Sequence, residues 1–183
     1  MSIAPDTLVP FVGWRVWDVV ELDDTLRLCS LSFWTIWLPG RETCAVCRRA
    51  LVDLHRAGIV DHPAPHPLCT CGVYAASRAS HVLAYARQFR RRSDSVHRVV
   101  GRVRLWGSVV ECEGGWRGEL AYPAALFVPT GRARAWRSGR IAPPGRPAEE
   151  VARGLSEYGV PVEIVDCATD RELAELLEPE KAT

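Results

Sequence analysis

Lysine is almost missing from this chain: of its 23 basic residues, only Lys181 is lysine and the rest are arginine. Two readings of that bias compete. Arginine offers the better fork for phosphates and carboxylates, whereas a GC-rich genome exchanges lysine for arginine without any selection for binding. The frequent Ala, Gly and Pro favour the genomic reading. An excess of one charge is missing too. The formal net charge is +1, so no global field draws in nucleic acid. No stretch approaches the ~18 apolar residues that span a bilayer, and the longest, 31–38, is strand-sized. The opening Met-Ser-Ile-Ala-Pro-Asp lacks a basic start followed by an apolar run, so no signal peptide and no membrane contact are expected. That predicts a cytoplasmic protein whose thiols stay reduced. The sequence also has no Gly-rich phosphate loop, no His-Glu-x-x-His and no nucleophile elbow, which speaks against common hydrolases and nucleotide-dependent enzymes.

What is present is an ordinary globular composition and an unusual set of cysteines. With 183 residues the chain can bury a full core, so a metal site would be a local device and not the basis of the fold. Seven cysteines, an odd number with four clustered, point to metal in place of disulfides. Cys44-Ala-Val-Cys47 is one candidate pair. Cys69-Thr-Cys71 is another, with His66 three residues before it. Zinc takes four thiolate or imidazole ligands in a tetrahedron. Either Cys44, Cys47, Cys69 and Cys71 bind, or Cys47, His66, Cys69 and Cys71 do. His55 and His62 stand outside this reading. Gly72 would permit the sharp turn that lets Cys69 and Cys71 converge. Buried core thiols and a redox pair are the competing readings. A complete set of four leaves no open position for water, so the expected role is a structural zinc ion. Cys29, Cys112 and Cys167 read as core residues.

The pattern predicts an opening hairpin, with strands at 11–20 and 26–37 around Leu22-Asp23-Asp24-Thr25. A helix follows at 43–57, capped by Thr43, and a loop with three prolines at 61–68. A short strand at 72–75 leads to a helix that Ser77 or Ser80 caps and that runs to about Arg91. Residues 96–128 are the most strand-like. They hold a hairpin turn at Glu113-Gly114-Gly115 and end in an edge strand at 125–128. Residues 129–147, rich in Pro, Gly and Arg, read as an exposed loop. A helix after Pro147 ending at Gly159, a strand at 160–165 and a last helix opened by the capping box Thr169-Asp170-Arg171-Glu172 complete the chain, with Leu173, Leu176 and Leu177 inward. The expected fold is α+β: a curved antiparallel sheet or small β-barrel with interposed helices and a zinc-stapled loop in residues 1–128, the loop 129–147, and a small C-terminal α/β appendage in 148–183.

Seven tryptophans supply a second set of candidates. Trp14 with Trp17, and Trp34 with Trp37, are spaced by three, so each pair faces opposite sides of a regular strand. Core packing competes with a tryptophan-lined cleft that stacks a flat ligand. Arg102, Arg104 and Arg117 can share one sheet face with Glu111 and Glu119, either as a salt-bridge ladder or as an anion-binding surface. The candidate ligand-binding residues are Trp14, Trp34, Arg102, Arg104, Trp106, Trp116 and Arg117.

The run Cys69-Thr-Cys71-Gly72-Val73-Tyr74-Ala75, then Gly101-Arg-Val-Arg-Leu-Trp106-Gly107-Ser-Val-Val-Glu111, then Gly115-Trp116-Arg117 and Ala121-Tyr122-Pro123, resembles a group of uncharacterised proteins from actinobacteria and their phages. The resemblance covers residues 11–128. It implies a bacterial source, which fits the arginine usage, and brings no activity with it. The order of elements is also similar to β-barrel modules of the PUA and ASCH kind, which implies RNA or modified bases as ligands by analogy alone.

The sequence therefore supports a non-enzymatic binding module with a structural zinc, presenting tryptophan and arginine to a nucleic acid or nucleotide-like ligand. One alternative is a protein-interaction or adaptor domain that docks through the Arg/Pro loop and the C-terminal segment. Another is an enzyme with a tryptophan-walled pocket and Glu111 or Glu119 as its carboxylate.

Overall fold

A computed structural model of the chain describes residues 10–47, 62–130, 145–167 and 169–178. The first hairpin forms as its residues dictate. Strand β1 (Phe11–Leu22) and strand β2 (Thr25–Ser30) pair antiparallel from Trp17↔Ser30 to Leu22↔Thr25. Asp23 and Asp24 turn the chain at φ of 48° and 58°, a left-handed conformation that aspartate tolerates. The predicted second strand is in fact two. After Ser30 the chain reverses through residues 31–34, and β3 (Ile36–Trp37) pairs back onto β2. This turn places Phe33 and Trp34 at φ of 63° and 51°. The left-handed region costs a bulky residue roughly 1–2 kcal/mol, so this turn is strained where the Asp-Asp turn is not.

The predicted helix at 43–57 does not begin as a helix. Thr43–Cys44 is a short strand, β4, paired with Ala121 and Leu120. The remainder of that prediction, from residue 48, lies outside the described residues. Strand β5 (Val73–Ala76) leads into helix α1 (Ala79–Ala86), which is shorter than expected. Its N-cap is Arg78, with no side-chain cap, because Ser77 Oγ donates instead to the Gly114 carbonyl.

Two long strands carry the sheet: β6 (Ser95–Cys112) and β7 (Gly115–Pro129), joined at the predicted hairpin turn. Bulges at Arg102/Val103 and Trp106/Val109 bend this pair. β6 pairs along β1, and β5 pairs with the start of β7, where Gly115 leaves no room for a Cβ beside the Ala75 carbonyl. The single pair Trp14↔Ala76 then returns β5 to β1. The ladders thus close a ring, β1–β6–β7–β5, without forming a regular barrel.

The C-terminal segment continues the same sheet. Helix α2 (Ala148–Leu155) is followed by a 3-10 turn, Ser156–Tyr158, and ends at left-handed Gly159. Strand β8 (Val162–Val165) pairs parallel with the end of β7, from Leu126↔Val162 to Pro129↔Val165. The sheet is therefore mixed, where an antiparallel one was expected, and residues 125–128 are not an edge. In helix α3 (Asp170–Leu177), Thr169 Oγ1 accepts the Glu172 N–H at 3.1 Å, as the capping box predicts. Leu173 is buried, but Leu176 is exposed. Of the predicted loop at 129–147, residues 131–144 lie outside the described residues.

β1 is apolar along both faces because both are covered. Trp17 and Val19 enter a core shared with Leu28, Trp37, Val99, Leu105, Leu126 and helix α2. Trp14 and Val16 enter a second core with Val100 and helices α1 and α3. Asp18, on the second face, is buried against Arg98, whose Nε donates to Oδ1 at 2.8 Å. Arg98 Nη1 also donates to the Ala86 and Phe89 carbonyls, both at 3.1 Å, so one guanidinium satisfies the end of α1 as well as the carboxylate. Removing either partner alone would strand a buried charge, at a cost of about 3–5 kcal/mol. No helix among the described residues is long and apolar enough to cross a membrane.

Candidate metal centre

Two loops converge beside the strand pair β5–β7. β4 and its backbone bond from Ala45 N–H to the Glu119 carbonyl, at 2.7 Å, deliver Cys47 from one side. The proline-rich loop before β5 brings His62, Cys69 and Cys71 from the other. The four residues each offer one ligand atom, and these atoms all lie within 4.8 Å of one another. Such a Cys3His group can hold a metal ion. Cys47 Sγ lies 3.8 Å from Cys69 Sγ, and Cys71 Sγ lies 3.9 Å from His62 Nδ1.

The loop is shaped by its own residues and by one distant side chain. Gly72 turns the chain at φ 124°, and a Cβ there would sit 2.9 Å from Arg117 Cβ and 3.0 Å from Pro65 Cβ. Arg117 lies on β7 opposite Tyr74, with only 3% of its surface exposed. Its Nη1 donates to the carbonyls of Cys69 at 2.6 Å and Cys71 at 2.7 Å, with a longer bond to His66 at 3.4 Å. Tyr74 adds a bond from its hydroxyl to the Thr70 carbonyl at 2.6 Å.

The two adjacent thiols differ in acidity. Burial pushes the Cys71 thiol up to about 11. Burial acts in the same direction on Cys69. There, hydrogen bonds from the Cys71 backbone and from the Cys71, Cys47 and His62 side chains outweigh it and bring the thiol down to about 7. Without a cation, the first proton therefore leaves this pair of thiols more readily than it would a free cysteine, with Cys69 the readier of the two.

Cys44 and His66, the two alternatives for the fourth of four expected ligands, are both absent from the group, and His62, which the sequence reading left outside, takes that place. The reason for Cys44 is backbone geometry. Around β4 the chain is extended, so residues three apart point to opposite sides, and Cys44 is exposed to solvent. His66 is engaged locally: its Nδ1 accepts the Leu68 N–H at 3.2 Å, and its ring lies 4.7 Å from that of His62. His62 Nδ1 also lies 3.0 Å from the Pro63 carbonyl. Spacing to Cys69 favoured His66 in the sequence. The three prolines that fold 62–68 back were the available signal for His62.

The other candidate residues separate. Arg102 lies opposite Trp14, and its guanidinium stacks 4.6 Å from that ring. Arg104 is exposed and lies opposite Val12, with half-buried Trp106 two residues further along the same strand. These share a face, but Trp14 itself is buried beneath helix α1. Trp116 is half-buried against Phe11 at the margin of the first core. Arg117 is buried against the loop that carries Cys69 and Cys71 and is not part of an open anion-binding face. Trp34 is 67% exposed and stands beside Arg92, whose guanidinium lies 4.3 Å from its ring centre. Arg92 was not among the expected ligand-binding residues. Cys29 and Cys167 are buried, as expected of core residues, and Cys112 is half-buried.

Compared with known proteins, the chain matches no family, no curated protein and no solved structure.

Proposed function

We propose that the chain is a non-enzymatic binding module for nucleic acid or a nucleotide-like ligand, held in shape by a structural zinc ion at Cys47, His62, Cys69 and Cys71. The observation that carries the metal assignment is the 3.8 Å separation of the Cys47 and Cys69 sulfurs. A tetrahedral ion with metal–sulfur bonds of about 2.3 Å sets sulfur–sulfur edges of about 3.8 Å. Three thiolates and an imidazole are donors that suit zinc. Four protein ligands complete the tetrahedron and leave no place for a reacting water, which favours a structural role. Arg117 ties the ligand loop to β7, so the ion would hold the chain that enters β5 and closes the ring.

Arginine and aromatic side chains on the surface support the nucleic-acid reading. Arg104 is exposed beside Arg102 and Trp106, and Trp34 stands out beside Arg92. The carboxylates offered for an enzyme are less suited to catalysis: Glu119 accepts the Ser108 N–H at 3.0 Å, and Glu111 lies open to solvent on the sheet.

Metal analysis of the purified chain, joined to binding of labelled RNA and DNA across a salt series, tests both parts. One equivalent of zinc is expected, with affinity falling as salt rises through counterion release. A different metal, or none after zinc is supplied, overturns the first part. No binding, or binding indifferent to salt, overturns the second.

A further inference from the structure

We infer that the Phe33–Trp34 turn, together with Arg92, is the platform on which this module stacks an unpaired base of a single-stranded nucleic acid. The inference rests on the nucleic-acid reading above and adds where the base sits and which form of nucleic acid is taken.

The turn is built against its own conformational preference. Phe33 and Trp34 are 66% and 67% exposed, and both adopt left-handed backbone. The equivalent turn between β1 and β2 uses two aspartates, which accept that conformation readily. Burial does not offset the strain in the Phe-Trp turn, because the rings are largely in water. Strained backbone that displays a side chain is a recurring property of binding sites.

Arg92 supplies the second observation. Its Nε and Nη2 bind the two oxygens of Asp94, at 2.7 and 2.6 Å, which fixes the plane of the guanidinium. The remaining Nη1 is shielded from solvent and has no partner among the described residues. The cation covers one side of Trp34, and the exposure of that ring leaves its other side open. An open aromatic face backed by an oriented cation fits a flat base stacked on the ring.

The form of the partner follows from access. A base inside a duplex has both faces covered by its neighbours, so a flat indole reaches only an unstacked base. A two-residue tip is also too small to read a major groove, which admits a helix or a two-stranded ribbon. Two side chains flanked by arginine fall short of the ~800 Å² per partner that a stable protein interface buries.

The test uses the zinc-loaded full chain and fluorescence anisotropy with labelled oligouridine, oligothymidine and a duplex carrying the same label. Trp34→Ala is expected to weaken single-strand binding about tenfold or more, with Trp34→Phe keeping most of it and Arg92→Gln losing severalfold. Duplex binding is expected to be weak and unaffected. Zinc content and circular dichroism show whether each variant is folded, and Trp34→Phe with Arg92→Gln carry the test if Trp34→Ala is not. Single-strand binding that survives Trp34→Ala in a folded chain overturns this inference alone and leaves the binding module standing. An equal loss on duplex overturns the single-strand assignment. If the wild-type chain binds no nucleic acid, the module reading fails with it. If Trp34→Ala instead abolishes self-association, the turn is a protein contact and the inference is wrong.

Discussion

Arg117 donates from Nη1 to the carbonyl of Cys71 at 2.7 Å, across 46 residues of chain. The same nitrogen reaches the Cys69 carbonyl, so one buried cation on β7 holds the backbone on which two thiols are mounted. Groups that orient metal ligands commonly change affinity by 10–100-fold when removed. Arg117→Met should therefore lower zinc affinity by about one to two orders of magnitude in a chelator competition, although no ligand has been touched. Arg117→Lys should not restore it, because an ammonium lacks the rigid fork. Unchanged affinity in a folded Arg117→Met chain would show that the loop holds its shape unaided.

Ligand identity gives a sharper prediction. Cys47→Ala, His62→Ala, Cys69→Ala and Cys71→Ala should each fall below a full equivalent of zinc, while Cys44→Ala and His66→Ala should retain it. Bound thiols must be deprotonated. Since burial holds Cys71 protonated up to about 11, zinc has to displace that proton at neutral pH. Affinity should consequently rise from about pH 6 to about pH 8, with protons released on binding. Competition titrations in two buffers of different ionisation enthalpy measure both. A pH-independent affinity, or retention in His62→Ala with loss in His66→Ala, contradicts the ligand set.

His97 gives the fold its own acid sensitivity. The ring is buried, its Nε2–H donates to the Pro129 carbonyl at 2.9 Å, and its pKa is lowered by burial, with nearby Arg91 adding to the effect. A depressed folded value means that the unfolded chain binds the proton first. The contribution to stability is present above the ordinary histidine value of about 6.5 and is lost as pH falls below it. Denaturant unfolding should lose up to about 1.4 kcal/mol per pH unit from this one residue. That slope should shrink in His97→Gln; an unaltered pH profile assigns the acid sensitivity elsewhere.

Local chemistry made much of the fold legible. The Asp-Asp turn, the Glu-Gly-Gly turn, the Thr169 capping box and the Gly159 stop all form where their residues place them. So does the gathering of Cys47, Cys69 and Cys71. Errors arose where two readings share one apolar pattern. Residues 26–37 look like one strand because the Phe-Trp pair that breaks it has strand-like side chains and no glycine to mark the turn. Thr43 to Cys47 looks like the first turn of a helix, but pairing with β7 pulls it straight.

The sequence by itself determined that candidate metal donors, thiols and imidazoles, would lie on either side of residues 48–61, because those donor types cluster nowhere else in the chain. It also determined the strands that flank the site, through their β-branched and aromatic alternation. Only tertiary structure decided which donors converge. An extended backbone turns successive side chains to opposite sides, so pairing at β4 removed Cys44. A folded-back proline loop spent His66 on its own backbone and brought His62 inward. The role of Arg117 was decided the same way, since nothing near it in sequence distinguishes a surface arginine from one that must be buried to satisfy distant carbonyls.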